Sequence, residues 1–381
     1  MKVKKVAGVL HLWLGLICGG VVFVSMLAAA LFAWQEELFQ SCYHDILFVK
    51  EVKEKPLAYD QIFKAAQAAV PNKSIYGSSI INDVTRCYEF STYLSCDTCS
   101  GFTQWSNTVY WDKIYVDPYT AQVTGHIDLL SNWIMLCRMV HQNLLLRYEI
   151  GHYLVGCSTL VVILLAITGL ILWFPKNKAA FKQRFSIKCD ARWRRVNYDL
   201  HNVGGFYTWL LILFLATTGL NWTFDWWQKG FYSLLGADST QASAHQSLQV
   251  NQPFSPNATD HAIAQLTVLR PTWTDASISL PEEENDTTSE LTIYLHFNTH
   301  SGWDEMDEYH FHPVTGKLYT SDLQQNKTTA AKWRSSNYAM HVGSIYGLPS
   351  KILATFGALF LAFLPVTGFM IWWGKKKKGK K

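Results

Sequence analysis

Four long apolar runs divide this chain into dry and wet parts. They cover residues 6–34, 153–174, 203–224 and 352–373, and none contains Asp, Glu, Lys or Arg. Each has at least about 20 residues, the length an α-helix needs to cross hydrocarbon roughly 30 Å thick. Pro365 in the fourth run predicts a kink of the kind a helix bundle tolerates. Between the runs the periodicity changes. Residues 57–70 place Ile62, Ala65, Ala66 and Ala69 at helical spacing, and 260–269 also reads as a helix. Residues 111–116, 291–297 and 308–311 alternate like strands. The first of these enters a turn at Asp117-Pro118-Tyr119-Thr120 and the last a turn at His312-Pro313-Val314-Thr315-Gly316. Residues 277–289 are polar and predict a loop.

Composition sharpens this pattern. Hydrophobic residues make up 49% of the 381 and charged residues 16%, against about 25% charged in a soluble domain. With 16 Trp and 14% aromatics, the chain is neither disordered nor a coiled coil. Trp34, Trp173, Trp226, Trp227, Trp372 and Trp373 stand at run ends, where interfacial aromatics belong.

The net charge of +4 hides a strong asymmetry: 17 of the 33 basic residues lie before run one, between runs two and three, or after run four. Only Asp190 and Asp199 oppose them in those segments. Positive charge stays cytoplasmic, so both termini and the short loop are expected inside and the two long loops outside. Basic tracts flanking a membrane span anchor topology, so nucleic acid is not expected as a partner. Ala28, Ala30 and Ala33 resemble a signal-peptide cleavage site, but the apolar run is roughly twice the length of a signal h-region and reads as a retained span.

The expected organisation is an α-helical membrane protein, internally duplicated, with four transmembrane helices and two extracytoplasmic α+β domains. Its segments are helix 1 (1–34), outer domain 1 (35–148), helix 2 (149–175), a basic loop (176–198), helix 3 (199–225), outer domain 2 (226–346), helix 4 (347–374) and a basic tail (375–381). Leu10-His11 is followed by Gly15, and Leu200-His201 by Gly205 at the same offset. Thr168-Gly169, Thr218-Gly219 and Thr367-Gly368 mark three of the runs, while run one has Ala28-Ala29 instead.

Four of the 13 His occupy matched places. His11 and His201 each lie 23 residues from the far end of their run, about 35 Å along a helix, and so at similar depth. His141 and His341 precede runs two and four by similar distances on the outer side. A lone interfacial His would read as a residue hydrogen-bonded to a neighbouring helix. Four at matched depths, in runs without acids for a proton relay, point to two b-type haems, each held by one His from each of two helices. Gly15, Gly19, Gly20, Gly204 and Gly205 would let helices approach the plate. Arg194 and Arg195 inside, and Arg138, Arg147 and Lys351 outside, are candidate partners for its propionates. His152, at the mouth of run two, competes with His141 but has no counterpart in run four.

Several segments together carry a resemblance. They are Leu10-His11-Leu12-Trp13-Leu14-Gly15, the stretch from His141 through Thr168-Gly169 to Trp173-Phe174-Pro175, Leu200-His201 with Gly204-Gly205, and Met340-His341-Val342-Gly343 through Thr367-Gly368 to Trp372-Trp373. With the turns at 117–120 and 312–316, the chain resembles the PepSY-associated transmembrane family, which includes bacterial inner-membrane ferric-siderophore reductases. Ala121 in place of the usual Gly and His312 in place of the usual Asp depart from the pattern. The resemblance implies PepSY-like outer domains, two haems b on His11, His201, His141 and His341, and electron passage across the membrane. The expected activity is ferric-siderophore reduction on the periplasmic side of a bacterial inner membrane, with a quinol or cytoplasmic reductase as donor and lipid around the bundle. The rival reading is a non-enzymatic module whose outer domains bind a peptide or protein.

Cys42, Cys87, Cys96 and Cys99 share the first outer loop, where disulfides persist, and predict one or two bridges. Cys96-Asp97-Thr98-Cys99 also permits a thiol relay, though without a thioredoxin-like context. His296, His300, His310 and His312 form a second cluster; the last two alternate along a strand and so would face one side, as a weak metal or iron-chelate site requires. The cytoplasmic segments are too short to fold a flavin or nicotinamide domain.

Overall fold

A polypeptide in hydrocarbon must pair its own backbone groups, which for apolar runs of this length means helices. The computed structural model describes residues 2–96, 98–175, 181, 184–236, 254–280, 290–297 and 302–378. Its helices are α1 (Lys2–Phe32), α2 (Gln35–Cys42), α3 (His44–Leu47), α4 (Tyr59–Ala69), α5 (Trp133–Asn143), α6 (Tyr148–Trp173), α7 (Trp193–Asp199), α8 (Gly205–Leu220), α9 (Asp225–Leu234), α10 (Pro256–Leu269), α11 (Thr329–Val342) and α12 (Leu348–Lys378). Among the described residues four helical stretches are long and apolar enough to cross a membrane: Lys2–Phe32, Tyr148–Trp173, Trp193–Leu220 and Leu348–Lys376. The third joins α7 to α8 through a π turn at Leu200–Gly204. α12 continues through Pro365. Gly19 of α1 lets that proline come close, since a Cβ on Gly19 would stand 3.1 Å from the Pro365 ring.

The strands are β1 (Ile75–Ile81), β2 (Tyr88–Ser95), β3 (Thr108–Val116), β4 (Val123–Asp128), β5 (Asp275–Ser279), β6 (Leu291–Phe297), β7 (Glu305–Phe311) and β8 (Leu318–Asp322). They form one eight-stranded sheet in the order β4-β3-β2-β1-β5-β6-β7-β8. Two separate α+β units were expected. The chain instead fuses them where β1 pairs antiparallel with β5, Gly77 opposite Ser279 and Ile81 opposite Asp275. Gly77 has a steric role there, because a Cβ would meet the Ile278 carbonyl oxygen at 2.9 Å. Ser277–Ser279, expected in a loop, belong to β5; Leu280 follows, its N–H donating to the Tyr76 carbonyl at 2.9 Å, and 281–289 lie outside the described residues.

α4 and α10 cover one face of the sheet over a common apolar core that includes Ile62, Phe90, Leu266, Ile293 and Phe311. Burying each such side chain is worth about 1.5–3 kcal/mol. The Asp260 carboxylate of α10 accepts from the Tyr59 backbone N–H at 2.9 Å and ties α10 to the start of α4. The opposite face, at β3 and β4, brings Tyr115, Ile127 and Leu129 against Phe32 of α1 and against Met135 and Met139 of α5. The sheet therefore sits on one end of the bundle. Both turns follow the expected chemistry with substitutions: Ala121 takes φ 55° where its counterpart Gly316 takes 66°. His312 Nδ1 accepts from the Val314 N–H at 3.2 Å, as Asp117 Oδ1 accepts from Tyr119 at 2.8 Å. The whole is a multi-pass membrane protein with an α+β part.

Candidate functional site: two histidine pairs

At the end of the bundle away from the sheet, the rings of His11 (α1) and His201 (π turn) have centroids 6.1 Å apart at an interplanar angle of 84°. At the sheet end, His141 (α5) and His341 (α11) lie 6.0 Å apart at 26°. Neither sheet-end His belongs to a spanning helix. Each is in the last turn of a short helix that a left-handed residue terminates, Leu144 at φ 56° and Gly343 at φ 83°.

A hydroxyl from another helix holds every ring. His11 Nδ1 lies 3.0 Å from Thr168 Oγ1, His201 Nδ1 2.9 Å from Thr367 Oγ1, and His341 Nδ1 2.9 Å from Thr218 Oγ1. His141 Nδ1 lies 3.1 Å from Ser25 Oγ. These hydroxyls have already committed their protons: Thr168 to the Leu164 carbonyl at 2.7 Å, Thr218 to Phe214 at 2.9 Å, Thr367 to Leu364 at 3.0 Å, and Ser25 to His141 itself at 2.9 Å. With the hydroxyl protons on those carbonyls, each oxygen accepts from its ring, the arrangement in which Nδ1 carries the ring proton and Nε2 keeps its lone pair. That is the tautomer a metal-ligating imidazole needs, with the second nitrogen oriented by an outer partner.

The glycine after each Thr makes room for the ring. A Cβ on Gly169 would stand 3.2 Å from His11 Cε1, one on Gly368 3.2 Å from His201 Cε1, and one on Gly219 3.1 Å from His341 Cε1. The carbonyl of the same Thr is held in turn. Asn197 Nδ2 donates to Thr367 O at 3.1 Å, and Asn337 Nδ2 donates to Thr218 O at 3.1 Å. Each Asn is four residues before the His that its Thr supports. This second layer was not read from the sequence, although Asn197-Tyr198-Asp199-Leu200-His201 and Asn337-Tyr338-Ala339-Met340-His341 repeat one pattern. Run one lacks Thr-Gly, and it is Ser25, not Ala28-Ala29, that takes the Thr role. The π turn under His201 is of a kind common at functional sites.

The spacing tests what could sit between the rings. Two imidazoles ligating one metal through Nε2 at about 2 Å each have centroids roughly 6 Å apart. A direct N–H···N bond would bring them to about 5 Å, and two lone pairs cannot make one. Both spacings, 6.1 and 6.0 Å, match one metal ion held between two imidazoles. His11 and His201 also line a cavity of about 470 Å³, within the roughly 300–1,000 Å³ of ligand pockets. Gly15, Gly169, Gly205 and Gly368 line it with them. Gly20 and Gly204, also expected to flank the plate, do not: a Cβ on Gly20 meets nothing and one on Gly204 meets Phe360 at 2.3 Å.

A comparison with protein families matches residues 9–375 to the PepSY-associated TM region. The chain belongs to this family. A comparison with curated proteins finds no match.

In this PepSY-associated protein the remaining expected residues fall as follows. His152 does not face His341; its Nε2 lies 3.1 Å from the Trp222 carbonyl oxygen and its ring stacks on Tyr148. Among the described residues of the second His cluster, His296, His310 and His312 have separate partners. His310 sets Nδ1 3.0 Å from Glu290 and Nε2 3.2 Å from Glu308, His296 faces Asp304 at 3.6 Å, and His312 follows β7 and serves its own turn. His300 lies outside the described residues. Burial disfavours charge on His310, but the carboxylates of Glu308 and Glu290 outweigh it and raise its pKa above the ordinary value.

Cys96 and Cys99 form a disulfide, while Cys42 and Cys87 are free thiols. Trp173, expected at the interface, is buried and stacks on Phe206 at 3.7 Å. Of the expected propionate partners, Arg195 pairs with Asp199 at 2.9 Å, Arg147 with Glu149 at 2.8 Å and Lys351 with Glu37 at 2.7 Å. Lys375, not anticipated, lines the far-end cavity.

Proposed function

We propose that this protein is a di-haem b electron conduit of a bacterial inner membrane that reduces ferric siderophores on the periplasmic side and so releases iron. The observation that carries the reading is the pair of 6 Å imidazole spacings, each ring oriented by an accepting hydroxyl. His11 and His201 would hold one haem and His141 and His341 the other. Haem supplies one-electron chemistry when bound, which suits conversion of tightly chelated Fe(III) to weakly chelated Fe(II).

The protein's own contribution is placement. Ser25 stands 14 residues beyond His11 on α1, about 21 Å along the helix, so the two levels lie toward opposite ends of the bundle. The positive-charge asymmetry supports cytoplasmic termini and a periplasmic sheet. His11 and His201 then sit at the inner level, within reach of a quinol or a cytoplasmic reductase, and His141 and His341 beneath the sheet. The repeated Asn-Tyr-x-x-His and Thr-Gly elements, with four strands from each half of the sheet, support an internal duplication.

Haem quantification on purified protein, followed by anaerobic reoxidation with a panel of ferric siderophores, tests the reading. Two haems per chain and rapid reoxidation are expected. A colourless protein made with ample haem would leave the peptide-binding module instead.

A further inference from the structure

The tip of the β2–β3 hairpin is fastened to the start of a spanning helix. The Arg147 N–H donates to the Phe102 carbonyl at 2.7 Å, and the Gln104 N–H to the Leu145 carbonyl at 3.0 Å. Arg147 Nη1 donates to the Cys99 carbonyl at 2.9 Å, and the Cys96–Cys99 disulfide closes the tip. α6 begins one residue later, at Tyr148. Its 26 residues measure about 39 Å, longer than the roughly 30 Å of hydrocarbon and close to the roughly 40–45 Å of a bilayer with its headgroups. The first turn of α6, and the tip fastened to it, therefore stand at the headgroup layer on the sheet side.

The tip has the chemistry of that layer. Asp97 is the only charged residue from Phe90 through Trp111. Phe102 is 78% exposed and Trp105 46%. The Trp105 indole N–H donates to the Leu130 carbonyl at 3.0 Å, which satisfies the polar end of the ring. Backbone groups at the tip pair within the protein, as a segment at membrane depth requires: the Cys96 N–H meets the Asn107 carbonyl at 2.8 Å, and the Asn107 N–H meets the Gln104 carbonyl at 3.1 Å. The counterpart hairpin, β6–β7, has the opposite character. Four of the five residues 304–308 are acidic, and the Asp304 N–H donates to Ser336 Oγ of α11 at 2.8 Å.

We infer that the β2–β3 tip, through Phe102 and Trp105, inserts into the phospholipid headgroup layer and fastens the sheet to the bilayer that the bundle spans. The spanning surface continues into it, since Tyr148 and Tyr153 on the first turns of α6 are also exposed. Aromatic rings with one polar edge favour this depth. The tip has no basic residue of its own, and Arg147 pairs with Glu149 at 2.8 Å, so the attraction is apolar rather than to lipid charge. This contact requires the spans and no cofactor, so it stands or falls separately from electron transfer.

The test uses full-length protein in phosphatidylcholine nanodiscs, with the photo-crosslinker p-benzoylphenylalanine placed singly at position 102 or 105. Position 153, exposed on α6, is the reference for a lipid neighbour. Position 268 is the reference for water, because Val268 is 83% exposed on α10, which covers the face of the sheet turned away from the bundle. After illumination, mass spectrometry should find phospholipid adducts at 102 and 105 in yields near that at 153 and roughly ten-fold above that at 268. Hydroxyl-radical footprinting of the unsubstituted protein in the same nanodiscs covers a probe that disturbs the tip. Corrected for intrinsic reactivity, Phe102 should be protected like Tyr153 and unlike the exposed Leu269. Adduct yields matching position 268, or oxidation of Phe102 matching Leu269, would overturn the lipid contact. Adducts to another protein chain in place of lipid, on illumination in native membranes, would overturn it in favour of a protein docking site.

Discussion

His201 and Thr367 are 166 positions apart in sequence, yet the Nδ1 of one lies 2.9 Å from the Oγ1 of the other. With the Thr367 proton on the Leu364 carbonyl at 3.0 Å, this contact favours the tautomer protonated at Nδ1. The same relation recurs at His11 with Thr168 and at His341 with Thr218. Removing the hydroxyl but not its bulk isolates the effect. Thr367→Val and Thr218→Val should each weaken haem retention at their own level about 10–100-fold. Thr→Ser at the same positions should restore most of it. Competition with apomyoglobin measures the retention; equal retention in the Val and Ser variants would count against an orienting role.

Ligand removal should be level-specific. His11→Ala or His201→Ala should leave one haem, the sheet-end one, and His141→Ala or His341→Ala should leave the far-end one. His152→Ala should leave both, because its Nε2 is engaged by the Trp222 carbonyl. Pyridine haemochrome quantification with low-temperature spectra reads the result. Two haems surviving in all four single variants would show the ligands to be elsewhere.

Glycine substitutions report on ring packing. Gly219→Ala sets a methyl 3.1 Å from His341 Cε1, and Gly368→Ala sets one 3.2 Å from His201 Cε1. The ring must then shift by a few tenths of an ångström, so haem occupancy at that level should fall while the other level is unchanged. Gly20→Ala, which meets nothing within 4 Å, is the matched control. Occupancy per level, read from the split α-band, decides it.

Series transfer predicts an asymmetry. In sealed vesicles with the sheet side facing out, dithionite-reduced His201→Ala protein should be reoxidised by an external ferric siderophore. Reduced His341→Ala protein should stay reduced, since its remaining haem would lie about 21 Å further along the bundle. Stopped-flow absorbance gives both rates. Equal rates would argue for independent sites.

The sheet should carry a pH signature at His310. Its folded-state pKa is raised, so the stability it gains from Glu290 and Glu308 is complete below the unfolded value of about 6.5. That stability is lost as pH rises through the higher folded value. Thermal unfolding of wild type and His310→Gln should therefore differ most below the unfolded value of about 6.5 and converge as pH rises above the raised folded value. A gap that widens with pH would contradict the ion-paired ring.

Some of this was legible in the sequence. Apolar runs free of charge declare spans, because hydrocarbon admits no unpaired backbone or charge. Matched offsets singled out His11, His201, His141 and His341, since a helix converts residue separation directly into depth. Asp117 and Gly316 announced their turns through local backbone chemistry.

What failed to show is long-range. The edge pairing of β1 with β5 fuses two expected units, and nothing local in Gly77 or Ser279 specifies a partner about 200 residues away. His310 and His312 looked alike by alternation, but β7 ends between them and carboxylates from elsewhere engage His310. Ser25 was passed over because it breaks the Thr-Gly pattern, although its hydroxyl can make the same bond. Sequence spacing determines depth along a helix; azimuth, and with it which ring faces which hydroxyl, is decided only when the helices pack.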